Sequence, residues 1–279
     1  MNSPGSGVPP PPNPPSSFLD NEGFSVLCEI EPPRRPDIEH VRDQIAVMRE
    51  VADAFLIPDN HLGRATVSSV AVAHEVAYMG ALGIACLNAR DRNLLGFRRD
   101  LLTAAAYGVD HFLFVYGDPQ KEGRRTEDLT VRGMIDEVRS LSGGPLFQGY
   151  PDFRLGTVAK VGRPLVWRTR ADFIFVQVTF NFDRLMRWRD SLNFGGKVYA
   201  AVLVLASARM AQRVNASLPD IRVPDTVIDK LGDDAQAGIE LACEHIDAIE
   251  ESGAFDGVHL VPVAKYREMA AILRQRKRA

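Results

Sequence analysis

The chain has 279 residues, 46% of them hydrophobic, and a net charge of −3 at pH 7. This length fits one large or two small globular domains, and the slightly acidic balance argues against a nucleic-acid-binding protein. The three cysteines are far apart and lack metal-ligand spacing, which predicts reduced thiols in the cytoplasm and no bound metal. No secretory signal and no apolar run of membrane-spanning length is visible, so we expect no membrane partner.

The N-terminal residues 1–20 differ in composition from the rest of the chain, being rich in proline, glycine, serine and asparagine. Such a segment cannot bury an apolar face, and it predicts a disordered or polyproline-like tail. A role in docking to a partner is the alternative. Residues 21–279 are predicted to form one catalytic domain.

Short apolar runs alternate with helical patterns after the tail, as is typical of buried parallel strands and the helices that cover them. The predicted strands are 24–30, 53–57, 83–87, 109–115, 145–149, 171–177, 197–204 and 256–260. The predicted helices are 37–51, 66–81, 94–107, 127–141, 155–168, 182–193, 206–216, 225–251 and 264–276.

This alternation predicts a (β/α)8 TIM barrel, an α/β fold of ~250 residues. A doubly wound sheet is the alternative, but Glu31-Pro32-Pro33 is unlike the glycine-rich first turn of that fold. In a barrel, catalytic residues lie at the C-terminal ends of the strands. The residues predicted there are Glu29, Glu31, Pro58, Asp59, Asn60, Asn88, Arg90, Asp91, Tyr116, Asp118, Gln148, Tyr150, Gln177, Thr179 and His259.

Glu29 is the strongest catalytic candidate because it ends the first strand on the same face as Leu27 and Glu31. A partly desolvated carboxyl beside a second carboxylate tends to hold its proton, which suits a general acid. A structural carboxylate inside the barrel is the alternative. Glu31 has a second interpretation, as a residue that caps the strand beside Arg34 or Arg35.

Asp118 and Gln177 are the other two candidates. Asp118 lies between Gly117, which permits a tight turn, and Pro119, which ends the strand, so its carboxylate is expected in the mouth of the barrel. A turn aspartate bonded to its own backbone is the alternative. Gln177 shares a face with aromatic residues, where its amide either reads the edge of a heteroaromatic ring or bridges two strands.

The loop Arg90-Asp91-Arg92-Asn93 follows the third predicted strand. One interpretation is an ion-paired loop in which Asn93 caps the next helix, and the other is a clamp for substrate.

Motifs at four strand ends resemble those of the methylenetetrahydrofolate reductase family, over about residues 22–273. The family's first strand ends Glu-Phe-Phe-Pro-Pro and its fourth ends Gly-Asp. Its sixth strand carries Gln-Phe-Phe-Phe, the following helix carries Arg-Phe-Arg-Asp, and many members share the third-strand loop. The matching segments here are Glu29-Ile30-Glu31-Pro32-Pro33, Gly117-Asp118, Gln177-Val178-Thr179-Phe180, Arg187-Trp188-Arg189-Asp190 and Arg90-Asp91-Arg92-Asn93.

The resemblance implies a (β/α)8 barrel that reduces 5,10-methylenetetrahydrofolate to 5-methyltetrahydrofolate. It implies that Glu29 is the general acid that opens the methylene-bridged ring and that Asp118 stabilises the resulting iminium cation. It also implies that Gln177 hydrogen-bonds the pterin. The partners are then a small-molecule folate and a nicotinamide dinucleotide.

Most members of this family hold FAD, and several of their flavin-binding positions differ here. Tyr116 stands where they carry arginine, and an apolar residue near Val166 stands where they carry a lysine that contacts the flavin phosphates. Tyr150-Pro151-Asp152 is aligned with their Tyr-Pro-Glu after the fifth strand, and Cys86-Leu87-Asn88-Ala89 with their His-x-Thr-Cys. Leu231 replaces an aromatic residue that stacks on the ligand. We therefore predict the flavin-independent branch, with NADH or NADPH as direct hydride donor and no FAD.

Several alternatives remain open. A flavin-bound reductase with altered FAD contacts stays within the same reaction, as does a reduced deazaflavin as donor. A barrel that only binds folate or a pterin belongs to another class, and a pterin methyltransferase is a further alternative. The sequence does not specify the oligomeric state.

Overall fold

The computed structural model describes residues 17–119, 123–163, 166–218, 221–234 and 236–278. Within them, eight parallel strands close into a barrel in chain order, with β8 paired to β1, which confirms the predicted (β/α)8 architecture. The strands are β1 Ser25–Glu29, β2 Ala54–Ile57, β3 Gly83–Asn88, β4 His111–Val115, β5 Arg154–Ala159, β6 Phe173–Val176, β7 Lys197–Leu203 and β8 Gly257–Val261.

Helices follow most of the strands and cover the outside of the barrel. They are α1 Glu39–Met48, α2 Ser69–Tyr78, α3 Leu94–Ala106, α4 Val131–Leu141, α5 Phe182–Asp190, α6 Ala208–Ser217, α7 Asp225–Asp233, α8 Ala237–Glu251 and α9 Tyr266–Arg278. The predicted helix 225–251 is therefore two helices, α7 and α8. A further prediction, that helix 155–168 links the fifth and sixth strands, is wrong, because the described part of this connection carries the short 3-10 helix Val166–Arg170.

The barrel interior is filled by side chains from the inward faces of the strands. This buried cluster contains Leu27, Leu56, Ile84, Cys86, Leu113, Phe173, Phe175 and Tyr199. The alternate residues of the same strands, such as Val26 and Cys28, pack outward in a larger cluster shared with the helices. Because side chains alternate along a strand, an inward Leu27 places Glu29 on the inward face as well.

The fifth strand lies later in the chain than predicted. Pro145–Phe147 forms a 3-10 helix, and the strand is Arg154–Ala159. The segment 145–149 does not form a strand, because Gly143 lies just before it and Gly149 ends it, both with the positive φ of turn residues. Within β5, Gly156 leaves space for the ring of Phe173, which a β-carbon at this position would overlap.

This shift moves two predicted site residues away from the mouth. Gln148 and Tyr150 precede β5, whose first residue, Arg154, donates its backbone N–H to Asp110 at the start of β4. Both residues therefore lie on the N-terminal side of the strand, opposite the catalytic rim. The residues that follow β5 are Lys160 and Val161.

The N-terminal rim of the barrel is closed by a residue that was assigned to the tail. Residues 1–16 lie outside the described residues, but Phe18–Asp20 forms a 3-10 helix. Phe18 is 2% exposed, and its ring centroid lies 5.2 Å from that of Phe173 and 5.5 Å from that of Tyr199. Burial of a phenylalanine contributes about 1.5–3 kcal/mol. Phe18–Asp20, which was assigned to the tail, thus packs on the barrel.

Candidate active site

Glu29 lies at the C-terminal end of β1 and faces His259 of β8. The side chain of Glu29 is 20% exposed, and its Oε2 lies 3.5 Å from Nε2 of His259. The pairing of β1 with β8, in which Leu27 is opposite His259, brings the two side chains together. A carboxyl that is mostly buried and still reaches solvent can exchange a proton with a ligand in the mouth.

The ring of His259 is held by a stack on β6. Its centroid lies 4.8 Å from that of Phe175, with 23° between the ring planes. Gln177 follows two residues later, and its backbone N–H donates to the carbonyl of Ala159 at 2.8 Å, which continues the ladder between β5 and β6. The half-buried amide of Gln177 therefore has the same inward parity as Phe175. Residues on β1, β6 and β8 form one side of the mouth.

Glu31 does not belong to this group. It is 58% exposed and lies 3.7 Å from Arg34, one of the two arginines beside which its second interpretation placed it. The strand ends at Glu29, so the alternation that would have turned Glu31 inward stops there.

A buried polar network lies at the ends of β2 and β3. Asp59, with a side chain 4% exposed, accepts hydrogen bonds from the backbone and side chain of Asn88 at 2.9 and 2.7 Å and pairs with Arg92. Arg92 also donates to Asp100 at 2.8 Å. Burial alone would lower the pKa of Arg92, but Asp59 and Asp100 together raise it above its usual value. The loop is thus ion-paired, and Asn93 caps α3 by accepting from the N–H of Gly96.

Asp118 lies just beyond β4 and is held by the loop after β2. Its Oδ2 accepts from the backbone N–H of Leu62 at 2.9 Å and lies 3.9 Å from Nδ1 of His61. The side chain is 44% exposed, so one oxygen is anchored while the group remains open to solvent. Asp118 is therefore not a turn residue bonded only to its own backbone.

The turn before Asp118 requires glycine. Gly117 has φ of 94°, and a β-carbon there would lie 3.0 Å from the Cβ of Asn88. The loop that anchors Asp118 also has left-handed backbone, with φ of 49° at Asn60 and 57° at Leu62. Non-glycine residues in this conformation store free energy, often at functional sites. The geometry fixes the position of Asp118 relative to the polar network.

Tyr116 and Arg90 contact each other on the same side of the rim as Asp118. The guanidinium of Arg90 lies 4.8 Å from the ring centroid of Tyr116, which is 47% exposed. Thr126 holds the loop by donating from its backbone N–H to the Arg90 carbonyl at 2.9 Å and from its hydroxyl to the Arg92 carbonyl at 2.6 Å. These contacts tie the β3 and β4 loops together.

An apolar cluster lies beyond the C-terminal end of β7. Leu231 of α7 is 7% exposed and packs in a cluster with Leu205 and Val178, against which Leu203 also packs. Leu231 therefore contributes to this cluster and not to an aromatic stack. In the parts of the chain that the structure describes, we found no group of three or more side chains suited to a metal ion and no helix able to span a membrane.

Sequence reasoning missed two relationships. His259 was placed near the end of the eighth strand, but its pairing with Glu29 depends on closure of the barrel. Asp59 was placed at the end of the second strand without its partner, Arg92. The polar residues Asp59 and Asn88 at neighbouring strand ends were the available signal for that network.

A family model for methylenetetrahydrofolate reductase matches residues 16–277 of the chain. The chain belongs to the methylenetetrahydrofolate reductase family. This match spans the whole barrel, including the ends of β1, β4 and β6 that carry Glu29, Asp118 and Gln177. Among curated proteins, no sequence matches the chain significantly.

Solved structures show the same fold at low sequence identity. A protein from Clostridium thermocellum, described as uncharacterised and as binding two copies of 5-methyl-5,6,7,8-tetrahydrofolic acid, has a TM-score of 0.63 and 15% identity. That match covers 94% of this chain and 97% of the other. A 2,3-dimethylmalate lyase of the PEP mutase/isocitrate lyase superfamily has a TM-score of 0.50 and 11% identity, over 94% and 84% of the two chains. At these identities, the two solved structures share the fold of this chain and show nothing more about it.

Proposed function

We propose that the protein reduces 5,10-methylenetetrahydrofolate to 5-methyltetrahydrofolate, with NADH or NADPH as the hydride donor. The observation that carries this proposal is the position of Glu29, a mostly buried carboxyl on the inward face of β1 in a chain of the methylenetetrahydrofolate reductase family. The Clostridium thermocellum neighbour, described as binding the product of this reaction, supports a folate as the ligand.

The proposed mechanism assigns a separate task to each side chain. Glu29 gives its proton to the bridging nitrogen N10 of the folate, the bond from the methylene carbon to N10 breaks, and its electrons stay on that nitrogen. The methylene carbon becomes an iminium at N5, which accepts hydride from the reduced nicotinamide. The carboxylate of Asp118 favours the cation electrostatically, and the amide of Gln177 hydrogen-bonds the pterin.

We further propose that hydride passes directly, without a flavin. Tyr116 presents an aromatic ring, covered by Arg90, where flavin-binding members carry an arginine. An apolar residue near Val166, itself 74% exposed, stands where those members carry a lysine, and an apolar side chain cannot bind a diphosphate as a lysine does. These residues do not fit the family's FAD contacts at the two positions, so no step is assigned to FAD.

The revised fifth strand changes one part of this argument. Tyr150-Pro151-Asp152 precedes β5 and so has no bearing on a cofactor at the opposite rim. The residues that follow β5 are instead Lys160 and Val161. The case against FAD therefore depends on Tyr116, on the apolar residue near Val166 and on Cys86-Leu87-Asn88-Ala89.

Isotope transfer tests the proposal. The purified protein is incubated without oxygen or added flavin with 5,10-methylenetetrahydrofolate and NADH or NADPH deuterated at C4. Direct transfer predicts deuterium in the methyl group of 5-methyltetrahydrofolate and an absorption spectrum of the protein without flavin bands. A yellow protein that transfers hydride only with its flavin bound would establish the FAD-dependent alternative.

A second candidate function is folate binding without catalysis. It is favoured by the Clostridium thermocellum neighbour, which is described by the ligand that it binds. Calorimetric binding of 5-methyltetrahydrofolate, together with no turnover under NADH, NADPH or a reduced deazaflavin, would favour this function.

A further inference from the structure

His259 has a buried ring nitrogen that lacks a hydrogen-bond partner. The residue is 7% exposed, and its Nε2 makes no hydrogen bond with the described residues. Buried polar groups are nearly always paired, because an unpaired one loses its bonds to water and gains none. A partner is therefore expected in some state of the protein.

Glu29 is the acidic group within reach of that nitrogen. The distance of 3.5 Å from Nε2 to Oε2 lies just beyond the usual range of an N–H···O hydrogen bond. The stack on Phe175 fixes the ring, whereas Glu29 is partly exposed at the end of its strand. A small movement of the carboxyl would complete the bond. Because Nε2 itself is covered, a ligand in the mouth would contact Glu29 and not this atom.

We infer that His259 is a positioning residue for Glu29, with an N–H at Nε2 that donates to the carboxylate left when Glu29 has delivered its proton. This inference depends on the proposed role of Glu29 as the acid. A hydrogen bond to the ionised form favours that form, so it eases release of the proton to the folate nitrogen. Solvent at the exposed edge of the carboxyl restores the proton for the next turnover.

Titratable groups on the described strands β3 and β7 and at the end of β2 remain uncharged or are already paired. Burial raises the pKa of the Cys86 thiol well above its usual value, with a further contribution from Asp59. Burial likewise raises the pKa of Tyr199 on β7. Asp59 is bound to Arg92. Among the described residues, His259 is thus placed to respond to the charge of Glu29, at 3.5 Å from its carboxylate.

Infrared difference spectra recorded as a function of pH test the inference on the full chain. The band of the protonated Glu29 carboxyl is assigned by its loss in Glu29→Gln. His259→Phe keeps an aromatic ring beside Phe175 and removes the N–H, so the midpoint of the Glu29 titration should rise by about one pH unit. His259→Gln, which places an amide nitrogen near the position of Nε2, should restore it. His40→Phe, the same change at an exposed helix surface, should have no effect.

An unchanged Glu29 midpoint in folded His259→Phe would overturn the inference. If His259→Phe does not fold, His259→Asn, whose amide reaches the position of Nδ1 and not Nε2, is expected to give the same upward shift, and no shift there would also overturn it. Turnover adds an independent readout, in which His259→Phe should lower kcat about tenfold and leave the KM for folate unchanged. If the Glu29 midpoint shifts in His259→Phe but the wild type shows no turnover, the proposed function is rejected and the pairing is retained. Normal turnover with an unshifted midpoint would reject the pairing alone.

Discussion

Arg92 and Asp59 form an ion pair in which both side chains are nearly buried, with exposures of 12% and 4%. The pair joins the end of β2 to the loop after β3 and supports Asn88, whose side chain occupies the space that a β-carbon at Gly117 would approach. A buried ion pair therefore supports the rim that carries Asp118.

Removal of the Arg92 charge should destabilise the fold strongly. Arg92→Leu leaves Asp59 buried without its cation, which we expect to lower the free energy of unfolding by about 3–5 kcal/mol in urea denaturation. Arg98→Leu is the matched control, because the pair of Arg98 with Glu137 is more exposed and its loss should cost less than about 1 kcal/mol. Equal losses in the two variants would show that the buried network does not support the rim.

Residues at the start of the described chain should contribute to stability. Phe18→Ala removes the ring that packs on Phe173 and Tyr199, and we expect a loss of about 3–5 kcal/mol in the free energy of unfolding. Leu95→Ala, at a side chain 78% exposed, serves as the control and should change stability little. If Phe18→Ala has no greater effect than Leu95→Ala, Phe18 does not close the barrel in solution.

The glycine before Asp118 offers a separate test of the rim geometry. Gly117→Ala introduces both backbone strain and a contact with Asn88, so it should displace Asp118 and lower kcat/KM for folate about tenfold or more. Gly143→Ala is the control, because it has a similar positive φ of 73° but no atom within 4 Å of the added carbon. That variant should lose some stability and keep its turnover. Similar turnover in the two variants would show that the turn at Gly117 does not position Asp118 for the reaction.

A half-buried histidine on α8, His245, should make stability depend on pH. Burial lowers the pKa of His245 below its usual value, and the charge of Glu244 opposes this only in part. The unfolded chain therefore binds a proton at a higher pH than the folded chain does. Stability is complete above the ordinary imidazole pKa of about 6.5 and falls as the pH drops below it. His245→Phe should reduce the difference between urea unfolding at about pH 7.5 and pH 5.5, and an undiminished difference would contradict this assignment.

The positions of Glu29, Asp118 and Gln177 could be predicted because each depends on local pattern. Alternation along β1 sets the face of Glu29, and the glycine before Asp118 marks the turn. The fifth strand could not be predicted in the same way, because it contains Gly156, a residue that is unusual in a strand. The reason for this glycine is the ring of Phe173 on the next strand, a contact that no local pattern shows.

The other contacts that could not be predicted from the sequence join residues far apart in the chain. His259 lies beside Glu29 only because β8 closes against β1, and Arg92 reaches Asp59 across two strand ends. Phe18 looked like part of the proline-rich tail, since its burial depends on a rim assembled from β4, β6 and β7. Partners of this kind require the closed barrel.

The role of Glu29 as the acid of a methylenetetrahydrofolate reductase is tested most directly by anaerobic turnover. The wild type, Glu29→Gln and Glu31→Gln are each given 5,10-methylenetetrahydrofolate and NADH or NADPH without added flavin, and 5-methyltetrahydrofolate is quantified. We predict product with the wild type and with Glu31→Gln, whose exposed carboxylate pairs with Arg34, and a loss of ~10²-fold or more in folded Glu29→Gln. Near-normal turnover in Glu29→Gln, or no product with the wild type, would contradict the account.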